Sequence, residues 1–235
     1  MKELALIMPV YNEEACIGEV IQSWHDEFKR LKINFIILIL NDGSRDHTAE
    51  RLKDFSKNKK VEVIHKENSG HGSTILMGYH LAVEKAKWVF QVDSDNEIRP
   101  DQFVNFWEKR ENYDGLFGIR EGRLQEADRK TVSLIARNLI YFLYGKGVAD
   151  PNVPFRLLRA EVLKKIIFKI PLETFAPNVI ISGAFTLHRF RIYNHPVICW
   201  GRETGATTLV SWKIWRSAFL SFWQTIEARY RLRSL

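Results

Sequence analysis

A chain of 235 residues, 46% of them hydrophobic, can bury one substantial core, which excludes a disordered or low-complexity polypeptide. The net charge of +7, gathered largely after Arg120, suits phosphorylated small molecules or anionic lipid, and no recognised DNA- or RNA-binding motif accompanies it, so nucleic acid is not an expected partner. The longest uncharged run, residues 174–188, contains Asn178, Ser182 and Gly183 and falls short of the roughly 20 apolar residues of a membrane span.

Residues 4–9 open the chain as a short apolar run without a signal-peptide pattern, which predicts a buried strand in a cytoplasmic protein. The polar segment Pro9, Val10, Tyr11, Asn12, Glu13, Glu14 follows. Residues 14–31 then place Ile17, Val20, Ile21 and Trp24 at helical spacing. A second strand is predicted at 35–40, followed by Asn41, Asp42, Gly43, Ser44, Arg45, Asp46, His47 and Thr48 and a helix over 46–56. Strand 61–65, the glycine-rich turn 68–72, helix 73–85 and strand 87–93 continue the alternation, and a further strand is expected at 116–119. Alternating strands and helices predict a mostly parallel sheet covered on both faces, with ligands bound beyond the carboxyl ends of its strands. After Arg120 the rhythm changes to two basic, apolar helical stretches, 128–144 and 212–232. Cys16 and Cys199 match no metal or redox spacing and read as buried free thiols.

Each polar cluster of the first half falls at a predicted strand end. In Val92–Glu97, the acids Asp93, Asp95 and Glu97 alternate, so a continued strand would turn all three to one side. Three converging carboxylates repel one another unless a hard divalent cation joins them, and such an ion also holds a diphosphate. The competing reading is a polar turn capping a helix that begins near Pro100. At the first two strand ends, Asp42 offers acceptors to N–H groups of a nucleobase and Tyr11 a ring to pack against it. Asn12, Ser44 and Asp46 also suit helix caps, with Gly43 at positive φ.

Together these segments resemble the family 2 glycosyltransferases of the GT-A fold: P-V-Y-N-E, then D-G-S-x-D-x-T, then a strand-terminal D-x-D. Asn41 departs from the usual Asp-Asp-Gly-Ser. The resemblance implies an α/β, Rossmann-like GT-A domain over residues 1–210 with C-terminal amphipathic helices, the last over 211–235. It implies donor binding by Pro9, Tyr11, Glu13, Asp42, Asp93 and Ser94, and Mg2+ or Mn2+ held by Asp93, Asp95 and Glu97.

Further along, Gly118-Ile119-Arg120 with Arg123, Arg129 and Ser133, then Asp150 to Arg156, and His195-Pro196-Val197 before Arg202 and Gly205 resemble the polyprenyl-phosphate branch typified by dolichyl-phosphate mannose synthases. Pro154 stands where that branch has Gly. That likeness implies catalytic roles for Asp95, Arg120 and Arg202, the arginines on phosphate groups, for which guanidinium forks are suited. Residues 174–182 lack the carboxylate base that hydroxyl-glycosylating members carry, and a phosphate acceptor needs none; Asp150 is the remaining candidate base.

The expected activity is inverting transfer of a hexose from a nucleotide diphosphate sugar to a polyprenyl phosphate, undecaprenyl or dolichyl. Transfer to a glycan hydroxyl, or nucleotide-sugar binding without catalysis, are the alternatives. Trp212, Trp215, Phe219, Phe222, Trp223, Ile226 and Tyr230 recur at helical intervals beside Lys213, Arg216, Arg229, Arg231 and Arg233, as in a helix lying at a membrane surface. Peripheral attachment to the inner membrane face, directly or through an integral-membrane partner, is therefore expected.

Overall fold

The computed structural model describes residues 1–121, 141–201 and 211–233, with the side chains of 211–221 left aside. A seven-stranded sheet runs through it in the order β3-β2-β1-β4-β6-β5-β7. The first half is β1 (Lys2–Val10), α1 (Ile17–Arg30), β2 (Phe35–Asp42), α2 (Thr48–Lys53), β3 (Val61–Lys66), α3 (His71–Val83) and β4 (Ala86–Gln91). Its four strands are parallel. The apolar runs of β1 and β2 are buried almost throughout, as strands sandwiched between helices must be.

The second half adds α4 (Val104–Lys109), β5 (Gly115–Glu121), β6 (Arg156–Arg159), α5 (Ala160–Ile167), α6 (Pro177–Leu187), β7 (Ile192–Ile198) and α7 (Ser211–Leu232). β6 runs antiparallel to both β4 and β5, while β7 is parallel to β5. The expected Rossmann-like GT-A sheet is thus present, with one reversed strand. β6 and β7 were not expected from the sequence.

One core joins the halves. Trp24 of α1 meets Phe28, Phe90, Phe103 and Phe155 at centroid distances of 5.2–6.2 Å. α1 presents Ile17, Val20, Ile21, Trp24 and Phe28 to the sheet, the set its helical spacing predicts with Phe28 added. Residues 174–188, the uncharged run, contain α6, which is buried along nearly its whole length as an internal helix of the domain.

α7 lies against α6. It buries Thr225, Ala228 and Leu232, and leaves Trp223 and Tyr230 exposed. The Tyr144 hydroxyl donates to the Thr225 carbonyl at 2.7 Å, and the Gln224 side chain accepts the Phe175 N–H at 2.9 Å. The aromatic stripe expected to form one face is therefore divided: Phe222 and Ile226 are half-buried, while Trp223 and Tyr230 face outward.

Candidate active site

The chain leaves β1 toward β2 and β3 on one side and returns through β4 on the other. The carboxyl ends of β1 and β4 therefore border the crevice where strand order switches. Four loops meet there, and hydrogen bonds between them set its form.

The β1–α1 and β2–α2 loops are laced together. Asn12 N–H donates to Ser44 Oγ (3.0 Å), and Arg45 N–H donates back to Asn12 Oδ1 (2.8 Å). Glu13 N–H donates to Thr48 Oγ1 (2.8 Å), Glu14 N–H to Asp46 Oδ2 (3.2 Å), and His47 N–H to Glu14 Oε2 (2.6 Å). Neither α1 nor α2 has a side-chain cap in the strict sense. Asn12 and Ser44, expected as caps, instead bond each other's loop, and Asp46 also accepts the Thr48 N–H at 3.0 Å. Gly43 has φ +67, and a Cβ there would come within 2.8 Å of the Asn68 nitrogen, so the turn requires glycine.

Asp42 ends β2 directly opposite Lys66, which ends β3. The carboxylate is 4% exposed. Lys66 Nζ donates to its Oδ1, as does Ser69 N–H (2.9 Å), and Gly70 N–H donates to Oδ2 (3.0 Å). Lys66 also reaches Ser69 Oγ and the Glu67 carbonyl, both at 2.7 Å. Burial alone would raise the Asp42 pKa, but the Lys66 bond, the Ser69 N–H, the nearby Thr74 hydroxyl and the lysine's charge prevail and hold it below the usual carboxylate value. Asp42 thus organises the 66–70 turn. The sequence reading named Asp42 but missed Lys66, whose only signal was its place at the end of β3.

Beyond β4, the expected alternation of carboxylates fails. The strand ends at Gln91, the chain bends at Ser94 and Asp95, and Asn96 has φ +56. Asp93 is partly exposed, whereas Ser94, Asp95 and Glu97 are buried. Asp95 Oδ1 accepts the Glu97 N–H at 3.2 Å, which folds the segment into a turn. Among the described residues no three His, Cys, Asp or Glu side chains are gathered as a metal-ligand group, so Asp93, Asp95 and Glu97 do not form the three-carboxylate cage that an extended chain would give.

His71 Nε2, the first residue of α3, lies 3.7 Å from Asp93 Oδ1. Gly72 behind it is pressed against backbone: an added Cβ would stand 2.2 Å from the Phe175 carbonyl oxygen and 2.4 Å from that of Thr174. The Cys16 thiol bridges two loops, donating toward Glu13 Oε2 (3.4 Å) and the Ser94 carbonyl (3.6 Å). Tyr11 is 42% exposed at the end of β1, while Pro9 is buried within that strand opposite Leu40.

Arg120, at the end of β5, forms a two-pronged ion pair with Asp150: Nε to Oδ2 at 2.7 Å and Nη2 to Oδ1 at 2.9 Å. Burial opposes its charge, but the Asp150 bond, with Glu97 contributing at longer range, more than reverses this and raises its pKa. The turn that follows Asp150 is held by Arg156, which is wholly buried and donates to the Pro151 and Val153 carbonyls at 2.7–3.0 Å. It also reaches the Asn178 carbonyl (3.0 Å) and Ser182 Oγ (3.3 Å) on α6. The Glu97 carbonyl accepts the Trp200 N–H at 3.0 Å, so the 92–97 turn, β5 and the end of β7 form one wall. Arg123, Arg129, Ser133, Arg202 and Gly205 lie outside the described residues.

The profile of glycosyl transferase family 2 matches residues 5–167, more than half of the chain, including the loops after β1, β2, β3 and β4 and the Arg120–Asp150 pair. The chain belongs to glycosyl transferase family 2. Its fold is also that of glucosyl-3-phosphoglycerate synthase from Mycobacterium tuberculosis, solved with Mn2+, uridine diphosphate and glucosyl-3-phosphoglycerate. That likeness has a TM-score of 0.68 at 17% identity, over 97% of this chain and 80% of the other. Mannosyl-3-phosphoglycerate synthase from Rubrobacter xylanophilus is similar, with a TM-score of 0.66 at 15% identity over 98% and 73% of the two chains. In this family 2 chain, the matched region thus brings together the ends of β1, β2 and β4 and adds Arg120 and Asp150 across the crevice.

Proposed function

We propose that this chain is an inverting hexosyltransferase that draws on a nucleotide diphosphate sugar and delivers the sugar to polyprenyl phosphate at a membrane surface. The observation that carries the donor half is the collection of Tyr11, Asp42, Asp93 and Asp95 at the strand-switch crevice of a glycosyl transferase family 2 chain. In this reading residues 1–210 are catalytic and 211–235 are the surface-binding helix. Pro9, buried in β1, acts by shaping the strand end rather than by touching the donor.

Mg2+ or Mn2+ fits the donor atoms: Asp93, partly open to solvent, and Asp95 present hard oxygen ligands at a bend, with diphosphate oxygens to complete the set. When bound, such an ion offsets the charge of the leaving diphosphate. Glu97, buried and within the field of Arg120, serves better as a link between the two walls than as a third ligand. Glu13 and Ser94, joined through Cys16, hold the loop that carries Tyr11 against the 92–97 turn.

The acceptor half rests on two features. Both Asp150 oxygens are engaged by the Arg120 guanidinium, which favours a role for this carboxylate in holding the arginine over one as the base for an acceptor hydroxyl. An acceptor phosphate is already anionic and needs none. Arg120 then acts as a fixed positive charge beside the reacting phosphates, with Arg202 as the second. Exposed Phe142, Trp223 and Tyr230 supply apolar surface for a bilayer.

A second reading, transfer to a phosphoglycerate-like hydroxyl, is favoured by the two solved structures of like fold. Incubation with a panel of radiolabelled nucleotide sugars and Mn2+, with either polyprenyl phosphate or 3-phosphoglycerate, separates the two. Label entering the organic phase supports the first; label confined to a new anionic aqueous product supports the second. Label remaining on the nucleotide in every arm contradicts both.

A further inference from the structure

Arg156 carries a full charge in the interior, at 0% exposure. It begins β6 opposite Gln91, the last residue of β4. Its guanidinium lies on the α6 side of the sheet, and every acceptor it reaches is neutral: the Pro151, Val153 and Asn178 carbonyls and Ser182 Oγ. Among the described residues no carboxylate forms an ion pair with it. Asp150, the nearest acid in sequence, is taken up on both oxygens by Arg120. A charge withdrawn from water is costly unless one of opposite sign meets it. A neutral donor would satisfy the same carbonyls at lower cost, so the hydrogen bonds account for the shape of this side chain but not for its charge.

Its position supplies the reason. Burial depresses the Arg156 pKa, and the charges of Asp150 and Asp93 act against this while that of Arg120 adds to it, yet a guanidinium stays protonated. Arg156 is therefore within electrostatic reach of both walls of the crevice, the 92–97 turn and the Arg120–Asp150 pair. In the donor-site reading above, on which this argument rests, Asp93 and Asp95 are assigned to the metal, and Asp150 is matched by Arg120. The charge of Arg156 has no such counterpart. We infer that Arg156 supplies buried positive charge from beneath the crevice to the phosphate groups bound there, so that an anionic ligand rather than a side chain completes its pairing.

Arg156 touches neither donor nor acceptor and acts through its field, which salt screens far less from the interior than from the surface. A neighbouring residue offers a way to cancel that field without disturbing the guanidinium. The Tyr79 hydroxyl lies 2.8 Å from Gln91 Oε1 and 3.3 Å from Asn178 Oδ1, whereas Gln91 Nε2 is buried without a hydrogen-bond partner. Gln91→Glu therefore sets a carboxylate at the strand position opposite Arg156 in nearly the same shape, with no hydrogen bond lost.

The test is calorimetric titration of the full chain in Mn2+ with uridine, UMP and UDP, and with guanosine, GMP and GDP. For the base that binds, Arg156→Gln and Gln91→Glu should each weaken the diphosphate by about tenfold, the monophosphate by less and the nucleoside hardly at all. Arg156→Lys keeps the charge but not the fork, and should hold diphosphate affinity within about threefold of wild type. A purely structural role gives another pattern, in which Arg156→Gln and Arg156→Lys weaken nucleoside and diphosphate alike. That pattern, or undiminished diphosphate binding in Arg156→Gln or Gln91→Glu, overturns the inference while leaving the donor site in place. Failure of the unaltered chain to bind any of the six removes the donor-site reading and this inference with it. Should the variants not fold, the unaltered chain decides: inorganic pyrophosphate in excess EDTA should raise its melting temperature above that in sodium chloride of equal ionic strength, and no rise overturns the inference.

Discussion

Asp42 and Lys66 form the buried pair that fixes the turn beyond the ends of β2 and β3. The Asp42 carboxyl is held below its ordinary value, because hydrogen bonds and the lysine charge outweigh the effect of burial. A folded-state pKa lower than the unfolded one stabilises the protein when the group is ionised. The contribution is complete above the unfolded value of about 4 and fades as pH falls through the lower folded value. Asp42→Asn should therefore lower the unfolding free energy by about 1–3 kcal/mol at pH 6, with the gap to wild type closing below about pH 4. Urea denaturation of both proteins across that range checks the sign; a gap that widens toward acid would contradict it. Asp42 could be picked out from the sequence by its strand-end motif, but the lysine that completes it lies 24 residues on, and only the β2–β3 register reveals it.

Arg120 illustrates the same limit. The G-x-R pattern singled it out for phosphate, and the structure adds that Asp150 holds it on both prongs while Arg156 holds the turn below. Asp150→Asn should keep the shape but loosen the fork. We expect a loss of roughly tenfold or more in kcat at saturating donor with donor affinity little changed, as befits a charge placed for the transition state. Steady-state kinetics with the transferred label decide between this and a purely structural role, which would lower the melting temperature without separating kcat from KM.

Among the elements, the strands of the first half were legible as short continuous apolar runs, and α1 by the helical spacing of its apolar residues. The second half was not. β6 has only Leu157 and Leu158 between two arginines, and its reversed direction comes from pairing with β4 and β5. β7 contains Pro196, which argues against a central strand; it is tolerated because β7 lies at the sheet's edge. α6 is buried nearly all round, so it has no polar face to mark a period. The 92–97 turn misled for the opposite reason: its acids alternate as a strand's would, but the chain turns at Asn96.

The start of α3 is the element most tightly coupled to the rest. Gly72 meets the Thr174 and Phe175 carbonyls, and Phe175 is in turn bonded to Gln224 of α7. Gly72→Ala should cost about 1–3 kcal/mol by overpacking and displace His71 relative to Asp93. Thermal unfolding and nucleotide affinity should fall together; an unchanged melting temperature would show that residues 174–175 yield easily. The outward face of α7 makes a separate prediction. Replacing Trp223 and Tyr230, 65% and 63% exposed, by Ala should weaken sedimentation with anionic vesicles by about tenfold and leave stability nearly unchanged. Equal sedimentation would remove this face from the membrane reading.

At the scale of the whole molecule, no helix among the described residues is long and apolar enough to cross a membrane, and the lipid contact proposed above would rest on surfaces such as that of α7. The sheet sets the ends of β1 and β2 on one side of the switch point and the 92–97 turn with the Arg120–Asp150 pair on the other, and in the function proposed above donor and acceptor would meet between them. Everything in this account depends on a metal-assisted nucleotide site at the ends of β1, β2 and β4. Calorimetric titration with UDP, in Mn2+ and in excess EDTA, for wild type and Asp95→Asn, tests that dependence most directly. Binding in Mn2+ that falls by about tenfold or more both on chelation and in Asp95→Asn is the predicted result; equal affinity under all of these conditions would contradict it.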